Sequence, residues 1–453
     1  MAYTGEFKVF EDIIQEMSIV YQHDNRPWMI GFSGGKDSTM LCCLVMEMIQ
    51  RLPTNKRTKT VYIVSSDTMV ENPIVKNYMH KMSKMINEAG AHLNVKADII
   101  YPKIEDTFWV KVIGLGYPTP EPPGFRWCTE RLKIHPMNAY TLEKIKSNGE
   151  VILLLGVRKA ESTYRANNIR SREIEGKLLV PHNDIENAYV YNPLTEIPNE
   201  EVWKFLLKED GISPWGSDNK YLFSLYQGEN LGEEKSVIGE IDKDKIPVTG
   251  NSRFGCWICT MVKEDKSLKA FIDRGEKWLI PLRDYRNWLV ELRSTPSARE
   301  YKRRNGSMYR KADGELGQGP FTMQTRIEML RRLLKLQVQT GLELITMEEL
   351  KQIDKTWDSE GDLSRRTLVD LYREITGQKL PWDDYKIAVF PEEIIDEIKR
   401  QCNDVEFEMI SKLIIEIEAN KNYTRSTMVT KAFDRILNQG WLHFDTIEKG
   451  LKK

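Results

Sequence analysis

The segment Ser33-Gly34-Gly35-Lys36-Asp37-Ser38 lies directly behind an apolar run, Trp28-Met29-Ile30, and ahead of a longer apolar stretch. Small residues at such a junction let backbone N–H groups converge on an anion, and a helix starting behind them adds partial positive charge. Ser33 and Ser38 bring hydroxyl donors and Lys36 brings an ammonium, so the expected ligand is a nucleotide phosphate. The letters are not those of a Walker loop. Counting back from Gly35-Lys36, the first glycine position is Ile30, and the hydroxyl position holds Asp37. Bare phosphate repels a carboxylate, so Asp37 is expected to cap the helix or to approach a magnesium ion. The bland alternative is a serine- and glycine-rich turn before a capped helix.

Cysteine usage points to a second chemistry. Of six cysteines, Cys256 and Cys259 form a C-x-x-C, Cys128 lies between Arg126 and Arg131, Cys42 and Cys43 are adjacent, and Cys402 stands apart. Cations beside Cys128 favour the thiolate, the form that ligates metal. Thiolates select zinc or an iron–sulfur cluster. Spacing alone leaves cluster, zinc, and a redox pair with a packed Cys128 all open. Cys42 and Cys43 fall in an apolar helical run, where packing is expected. Further polar candidates are Asp67 and Glu71, which could bind magnesium, contact adenosine or cap a helix after Pro73. His135, next to Pro136, is given no role.

From Arg283 to Lys311 the chain carries nine Lys/Arg and three Asp/Glu, interleaved with Tyr285, Trp288, Tyr301 and Tyr309. Basic side chains bind phosphate backbones and aromatic faces stack bases. Two readings stand side by side: nucleic-acid contact, with Arg303 and Arg304 as the candidate residues, and a solvated helix face with core aromatics.

The elements that must position these groups alternate. Strand-like runs end at Phe32, Asp67, Pro102 and Arg158, and the first two are followed by helix-like stretches, which predicts an α/β fold with a doubly wound, mainly parallel sheet. Gly31–Ser38, Ser65–Glu71 and Gly156–Glu161 each begin where a predicted strand ends, so they should share one sheet edge, where such sheets bind ligands. Residues 114–136 are rich in Gly and Pro and read as a long loop. Asn199 is expected to cap a helix. Clean periodicity is lacking from about 226 to 320, and helical spacing resumes at about 325. Three segments result: 1–225 with the nucleotide site, 226–320 with the thiols and basic run, and a helical C-terminal region, 321–453.

The chain has 453 residues, 41% apolar and 29% charged, with net charge −1, an ordinary balance for a soluble globular protein. No apolar run approaches a membrane span and no signal peptide is evident, so a cytoplasmic protein without a membrane partner is expected.

The motifs also carry a resemblance. "SGGKDS" is similar to the pyrophosphate loop of the ATP pyrophosphatases, an adenine nucleotide alpha-hydrolase-like group that cleaves ATP between the alpha and beta phosphates. "GVRKAES" followed by Arg165 resembles the Gly-x-Arg-x-x-Glu-Ser signature of phosphoadenylyl-sulfate reductases, and "PLTEIPNEEVW" their downstream helix. "RWCTERLK" with "GNSRFGCWICTMVKEDKS" resembles the DndC-type sulfurtransferases of DNA phosphorothioation and their SspD homologues, over about the first two-thirds of the chain.

The resemblance implies an ATP pyrophosphatase and sulfurtransferase of DNA backbone modification. ATP and Mg2+ would sit at Ser33, Gly34, Gly35, Lys36, Asp37, Ser38, Asp67, Arg158 and Glu161, with Lys36, Asp37 and Arg158 catalytic. It also implies a [4Fe–4S] cluster on Cys128, Cys256 and Cys259 with its fourth ligand open, a cysteine desulfurase as sulfur donor, and other phosphorothioation proteins as partners. Competing expectations are a phosphoadenylyl-sulfate reductase, whose C-terminal cysteine motif is absent from "FDTIEKGLKK", a tRNA thiolation enzyme, and a non-catalytic nucleotide sensor.

Overall fold

In a computed structural model of the protein, the described residues are 3–122, 124–208, 210–227, 255–311, 314–421 and 426–439. They fall into two units interleaved in sequence: Met1–Pro102 with Trp127–Arg283, and Lys103–Arg126 with Asp284–Lys453. The sequence alone suggests three consecutive segments instead.

In the first unit, α1 (Lys8–His23) precedes β1 (Trp28–Gly31), α2 (Lys36–Arg51), β2 (Val61–Ser66), α3 (Pro73–Gly90) and β3 (Val95–Ile100). A short α4 (Trp127–Thr129) continues through a π-helical turn, Glu130–Ile134, into α5 (His135–Asn148). Then come β4 (Val151–Leu154), α6 (Thr163–Arg170), β5 (Val180–Pro181), β6 (Ala188–Tyr191), α7 (Asn199–Leu206), α8 (Asn219–Gln227) and α9 (Lys266–Asp273). The sheet order is β3-β2-β1-β4-β6-β5, parallel except for the antiparallel edge strand β5.

Strand alternation sorts two cores. Trp28, Ile30, Ile63, Ile152 and Leu154 face the layer containing α1, α2 and α7, while Met29, Val64, Val151 and Leu153 face the other side, where Met137, Tyr140 and Ile145 of α5 pack. Both faces are covered, so the strands read as continuous apolar runs rather than alternating ones. The chain passes from β1 outward to β2 and β3, then returns to place β4 on β1's other side. That reversal opens a crevice at the carboxyl ends of β1 and β4.

The segment 114–136 is not a loop throughout: it becomes helical at Trp127, and Pro136 is tolerated because it sits in the first turn of α5. Residues 226–320 also contain helices, α9 and α10 (Ile280–Arg293). Asn199 is the first residue of α7 rather than its cap, which is Pro198.

The second unit holds α11 (Met323–Thr340), α12 (Met347–Glu360), α13 (Thr367–Thr376), α14 (Glu392–Gln401), α15 (Asp404–Asn420) and α16 (Ser426–Leu437). A bridged segment precedes them, with Arg299 opposite Phe321, Lys302 opposite Met308 and Arg310 opposite Leu316. No described helix is long and apolar enough to cross a membrane.

Candidate active site at the strand carboxyl ends

The loop after β1 turns because Gly34 adopts a φ of +71°, a conformation side chains rarely take. Its interior is laced by serines. Ser38 Oγ accepts from the Ser33 backbone N–H at 3.2 Å, lies 3.2 Å from Ser33 Oγ and donates to the Gly35 carbonyl at 2.9 Å. Gly35, extended at φ −82° and ψ 163°, is the helix cap, and it has no side chain to cover the first turn of α2. Tyr226 of α8 hydrogen-bonds the Lys36 N–H at 3.2 Å.

Gly156 carries the next strand end past this turn. A Cβ there would stand 2.9 Å from the Asp37 carbonyl oxygen and 3.2 Å from the Ser38 nitrogen, so the backbones touch without room for a side chain.

Asp37 does not cap the helix. Its carboxylate is held from two sides, by Lys36 Nζ at 2.8 Å and by Arg158 Nε at 2.6 Å. Both cations are buried, Lys36 at 2% exposure and Arg158 at 0%. Arg158 also donates to the Ile197 carbonyl at 2.8 Å and to Asn199 Oδ1 at 3.5 Å. Burial pulls the Lys36 ammonium below its ordinary pKa, with Asp37 opposing. Glu161 turns back to accept from the Arg158 N–H at 3.2 Å.

Past β2, Asp67 is fully buried and accepts from the Met69 N–H at 2.8 Å, bracing Met69 at φ +65°. Its other oxygen meets His80 Nε2 at 3.2 Å and Lys76 Nζ at 3.8 Å. Neither Asp67 nor Glu71 caps α3; Asn72 does, accepting from the Ile74 N–H.

Glu71 belongs to the cysteine group. Its backbone bridges that of Cys256, Asn72 donates to the Gly255 carbonyl at 3.3 Å, and Trp257 donates to the Val70 carbonyl at 3.1 Å. The Glu71 carboxylate accepts from Thr68 Oγ1 at 3.1 Å and pairs with Lys133 Nζ at 3.1 Å, while Thr68 Oγ1 lies 3.3 Å from Cys256 Sγ. Cys259 closes the tight turn, its N–H donating to the Cys256 carbonyl at 3.0 Å.

The three thiols share one electrostatic neighbourhood. Burial raises Cys128, and Cys259 raises it further. Burial and Glu71 raise Cys256, and Lys133 opposes. Burial would lower Lys133, yet Glu71, Cys256 and Cys128 together hold it well above its ordinary value. Lys133 is thus a cation tied to Cys128 and Cys256, and at both of these thiols burial favours the protonated form. Lys133 sits in the π-helical turn, an irregularity that recurs at functional sites.

Cys42 and Cys43 are buried within α2, with thiols driven up by burial, and serve packing. Cys402 closes α14 in the second unit. Among the described residues no three His, Cys, Asp or Glu side chains converge on a single-ion position.

Ser33 of the loop and the Glu71–Lys133 pair beside the thiols line one cavity of about 460 Å³, although among the described residues no cysteine lines it. It is lined by Gly31 and Ser33 from the β1 end, Ser66 and Glu71 from the β2 end, Lys133 and Asn138 from the turn and α5, and His182. Burial lowers the pKa of His182. Its Nδ1 accepts from the Asp184 and Ile185 N–H groups, leaving Nε2 as the proton-bearing nitrogen.

The expected residues thus separate. Ser33, Gly34, Gly35, Lys36, Asp37, Ser38, Arg158 and Glu161 assemble around the turn; Cys128, Cys256 and Cys259 assemble around Lys133 and Glu71; Asp67 stands between β2 and α3. Tyr226, Lys133, His80 and His182 went unnoticed in the sequence. The Arg165 side chain and residues 250–254 of the cysteine motif lie outside the described residues. In the second unit Arg303 is exposed over the Tyr309 ring, and Arg304 pairs with Glu360 at 2.9 Å.

The family model for the phosphoadenosine phosphosulfate reductase domain matches residues 27–261, just over half the chain. An uncharacterised protein of Methanocaldococcus jannaschii is 25% identical over 268 residues, 58% of this chain and 43% of the relative, so the chain spans under half of that relative's length. Among solved structures, the U34-tRNA thiolase NcsA from Methanococcus maripaludis with its [4Fe-4S] cluster aligns over 48% of this chain and 73% of its own, at 18% identity and a TM-score of 0.29. Phosphoadenylyl-sulfate reductase from Candida auris, in a phosphate complex, aligns over 50% and 95%, at 10% identity and a TM-score of 0.27.

Proposed function

We propose that this chain, which belongs to the phosphoadenosine phosphosulfate reductase domain family, is an ATP pyrophosphatase and sulfurtransferase that inserts sulfur into the DNA backbone. One observation carries the reading: Ser33 of the phosphate turn shares a cavity with Glu71 and Lys133, the pair electrostatically tied to Cys256.

In this reading the serine-laced loop at the start of α2 holds the pyrophosphate end of ATP. A DNA phosphate oxygen attacks the alpha phosphorus, the bond to the beta phosphate breaks, and pyrophosphate leaves while AMP stays on the phosphate. Hydrosulfide then displaces AMP at the DNA phosphorus and loses its proton, leaving a phosphorothioate. Cys128, Cys256 and Cys259 would hold a [4Fe–4S] cluster. When bound, the cluster supplies a sulfide-binding position next to the crevice. Lys133 and Glu71 set the charge around the thiols, and the Lys36–Asp37–Arg158 cluster keeps the turn in shape. Mg2+ enters with ATP, and a cysteine desulfurase supplies the sulfur along with other phosphorothioation proteins.

The test is anaerobic purification with iron, sulfide and absorbance measurements, followed by pyrophosphate release from ATP and mass spectrometry of digested DNA. Cys256→Ser is expected to abolish both the cluster absorbance and phosphorothioate formation. Retained absorbance in that variant, or sulfur appearing in a tRNA base with DNA unchanged, refutes the reading.

A further inference from the structure

The second unit holds a larger cavity, of about 770 Å³, that the sulfur chemistry does not use. Five cationic side chains line it against two carboxylates. Most of the cations are engaged. Arg299 is buried and donates to the Gly319 carbonyl at 2.7 Å, Arg304 pairs with Glu360, Lys311 pairs with Glu315 at 3.1 Å, and Arg293 donates to the Pro120 carbonyl at 2.8 Å.

Arg303 differs. It is exposed, its guanidinium lies 4.0 Å from the Tyr309 ring centroid, and among the described residues no carboxylate pairs with it. Across the same cavity Phe125 is held out by a tight turn, its backbone paired with Glu121 in both directions, and 45% of it is exposed. A free arginine braced on an aromatic ring recognises a phosphate. An exposed aromatic face in a concave site recognises the face of a base. Bases in a duplex are stacked on one another and present only their edges, whereas unpaired bases present their faces. The volume suits a nucleotide-sized group and is far more than a bare phosphate needs.

We propose that this cavity binds an unpaired nucleotide of single-stranded DNA, with Arg303 on a backbone phosphate and Phe125 against the base. The choice of DNA rests on the function proposed above; the geometry for an unpaired nucleotide does not.

Fluorescence anisotropy of the full chain with labelled oligothymidylate, and with a duplex of equal length at the same salt, tests it. Arg303→Ala is expected to weaken oligothymidylate binding about tenfold and to reduce the salt slope by about 0.7. Phe125→Ala is expected to weaken it by about fivefold to a hundredfold while leaving duplex binding unchanged. Phe125→Trp, which keeps a stacking face, should retain wild-type binding. Wild-type affinity in both alanine variants, or equal loss on duplex and single strand, overturns the site, and tighter binding of oligouridylate overturns the DNA assignment. Cluster absorbance is read on the same variants. If no phosphorothioate forms but oligothymidylate binding falls as stated, the sulfur reading fails and this site stands. The opposite pattern removes this site alone.

Discussion

Replacing Asp37 with asparagine tests the electrostatic logic of the turn most directly. The side chain keeps its shape and loses its charge, so the buried Lys36 and Arg158 are left without their shared carboxylate. Removing one partner of a buried ion pair costs about 3–5 kcal/mol. The amide oxygen can still accept from Arg158 Nε, and Arg158 keeps its bond to the Ile197 carbonyl, which favours the lower end, about 3 kcal/mol. For a unit of this size that lowers the melting temperature by roughly 6–12 °C.

An anion in the turn should reverse part of this. Pyrophosphate supplies negative charge next to the same two cations, so it should bind Asp37→Asn more tightly than wild type. A tenfold gain adds about 1.4 kcal/mol, or roughly 3–5 °C of extra protection at saturating ligand. The assay is thermal unfolding with and without pyrophosphate, in the absence of magnesium. If Asp37→Asn melts within a degree of wild type, or both proteins gain equally from pyrophosphate, the carboxylate is not neutralising a buried cation pair. A magnesium-binding Asp37 would give a different pattern: weaker binding of magnesium-ATP and unchanged metal-free pyrophosphate binding.

Gly156→Ala places a methyl group against the Asp37 and Ser38 backbone, with no flexible side chain to yield; about 1–3 kcal/mol of overpacking is expected, and calorimetry should show ATP affinity falling as well. Cys43→Ala should keep the cluster absorbance that Cys256→Ser loses, since Cys43 packs inside α2. In the second unit, burial raises the Asp358 carboxyl to about 6 despite Lys386 at 2.6 Å. Because the folded value lies above the unfolded one, the charged form costs stability above pH 6, and the cost fades as pH falls towards 4. Asp358→Asn should therefore raise the melting temperature at pH 8 and not at pH 4.5, Lys386 retaining Asp354 at 2.7 Å; a uniform effect across pH would contradict the burial argument.

What the sequence disclosed follows from locality. β1, β2 and β4 were legible because strands covered on both faces are largely continuous apolar runs, the edge strand β3 was legible from its apolar Ile99-Ile100 end although Lys96 is exposed, and the turn was legible because Gly34 and the two serines lie close together in the chain. β6, only half-buried at Tyr189 and Val190, and the two-residue edge strand β5 leave no such trace. The helix from Trp127 was obscured by neighbouring glycines and prolines. Tyr226 was hidden because its partner Lys36 is distant in the chain, and Lys133 because Glu71 and Cys256, unlike the nearby Cys128, reach it only through the fold. The capping expectation for Asp37 failed because its two cations are not both sequence neighbours: Lys36 adjoins it, but Arg158 arrives only through the pairing of β1 with β4.

The β2 end fixes the cysteine turn relative to the loop after β1. A C-x-x-C on a free loop would have no fixed distance from the phosphate turn. Here Trp257 and Ile258 are buried, at 2% and 1% exposure, and the backbone of 255–257 is hydrogen-bonded to residues 70–72. Those residues follow a strand whose register with β1 runs from Trp28↔Val61 to Gly31↔Val64. The position of Cys256 relative to Ser33 is thus transmitted through sheet pairing and a short backbone ladder, both rigid. Glu71 occupies the joint: its main chain docks the cysteine turn, while its carboxylate holds Lys133 beside the thiols. Glu71→Gln should leave the docking intact and release Lys133, altering the environment of the cluster without moving its ligands. Replacing Trp257 with alanine should do the reverse, loosening Cys256 and Cys259 together and costing cluster occupancy while pyrophosphate binding at the turn survives.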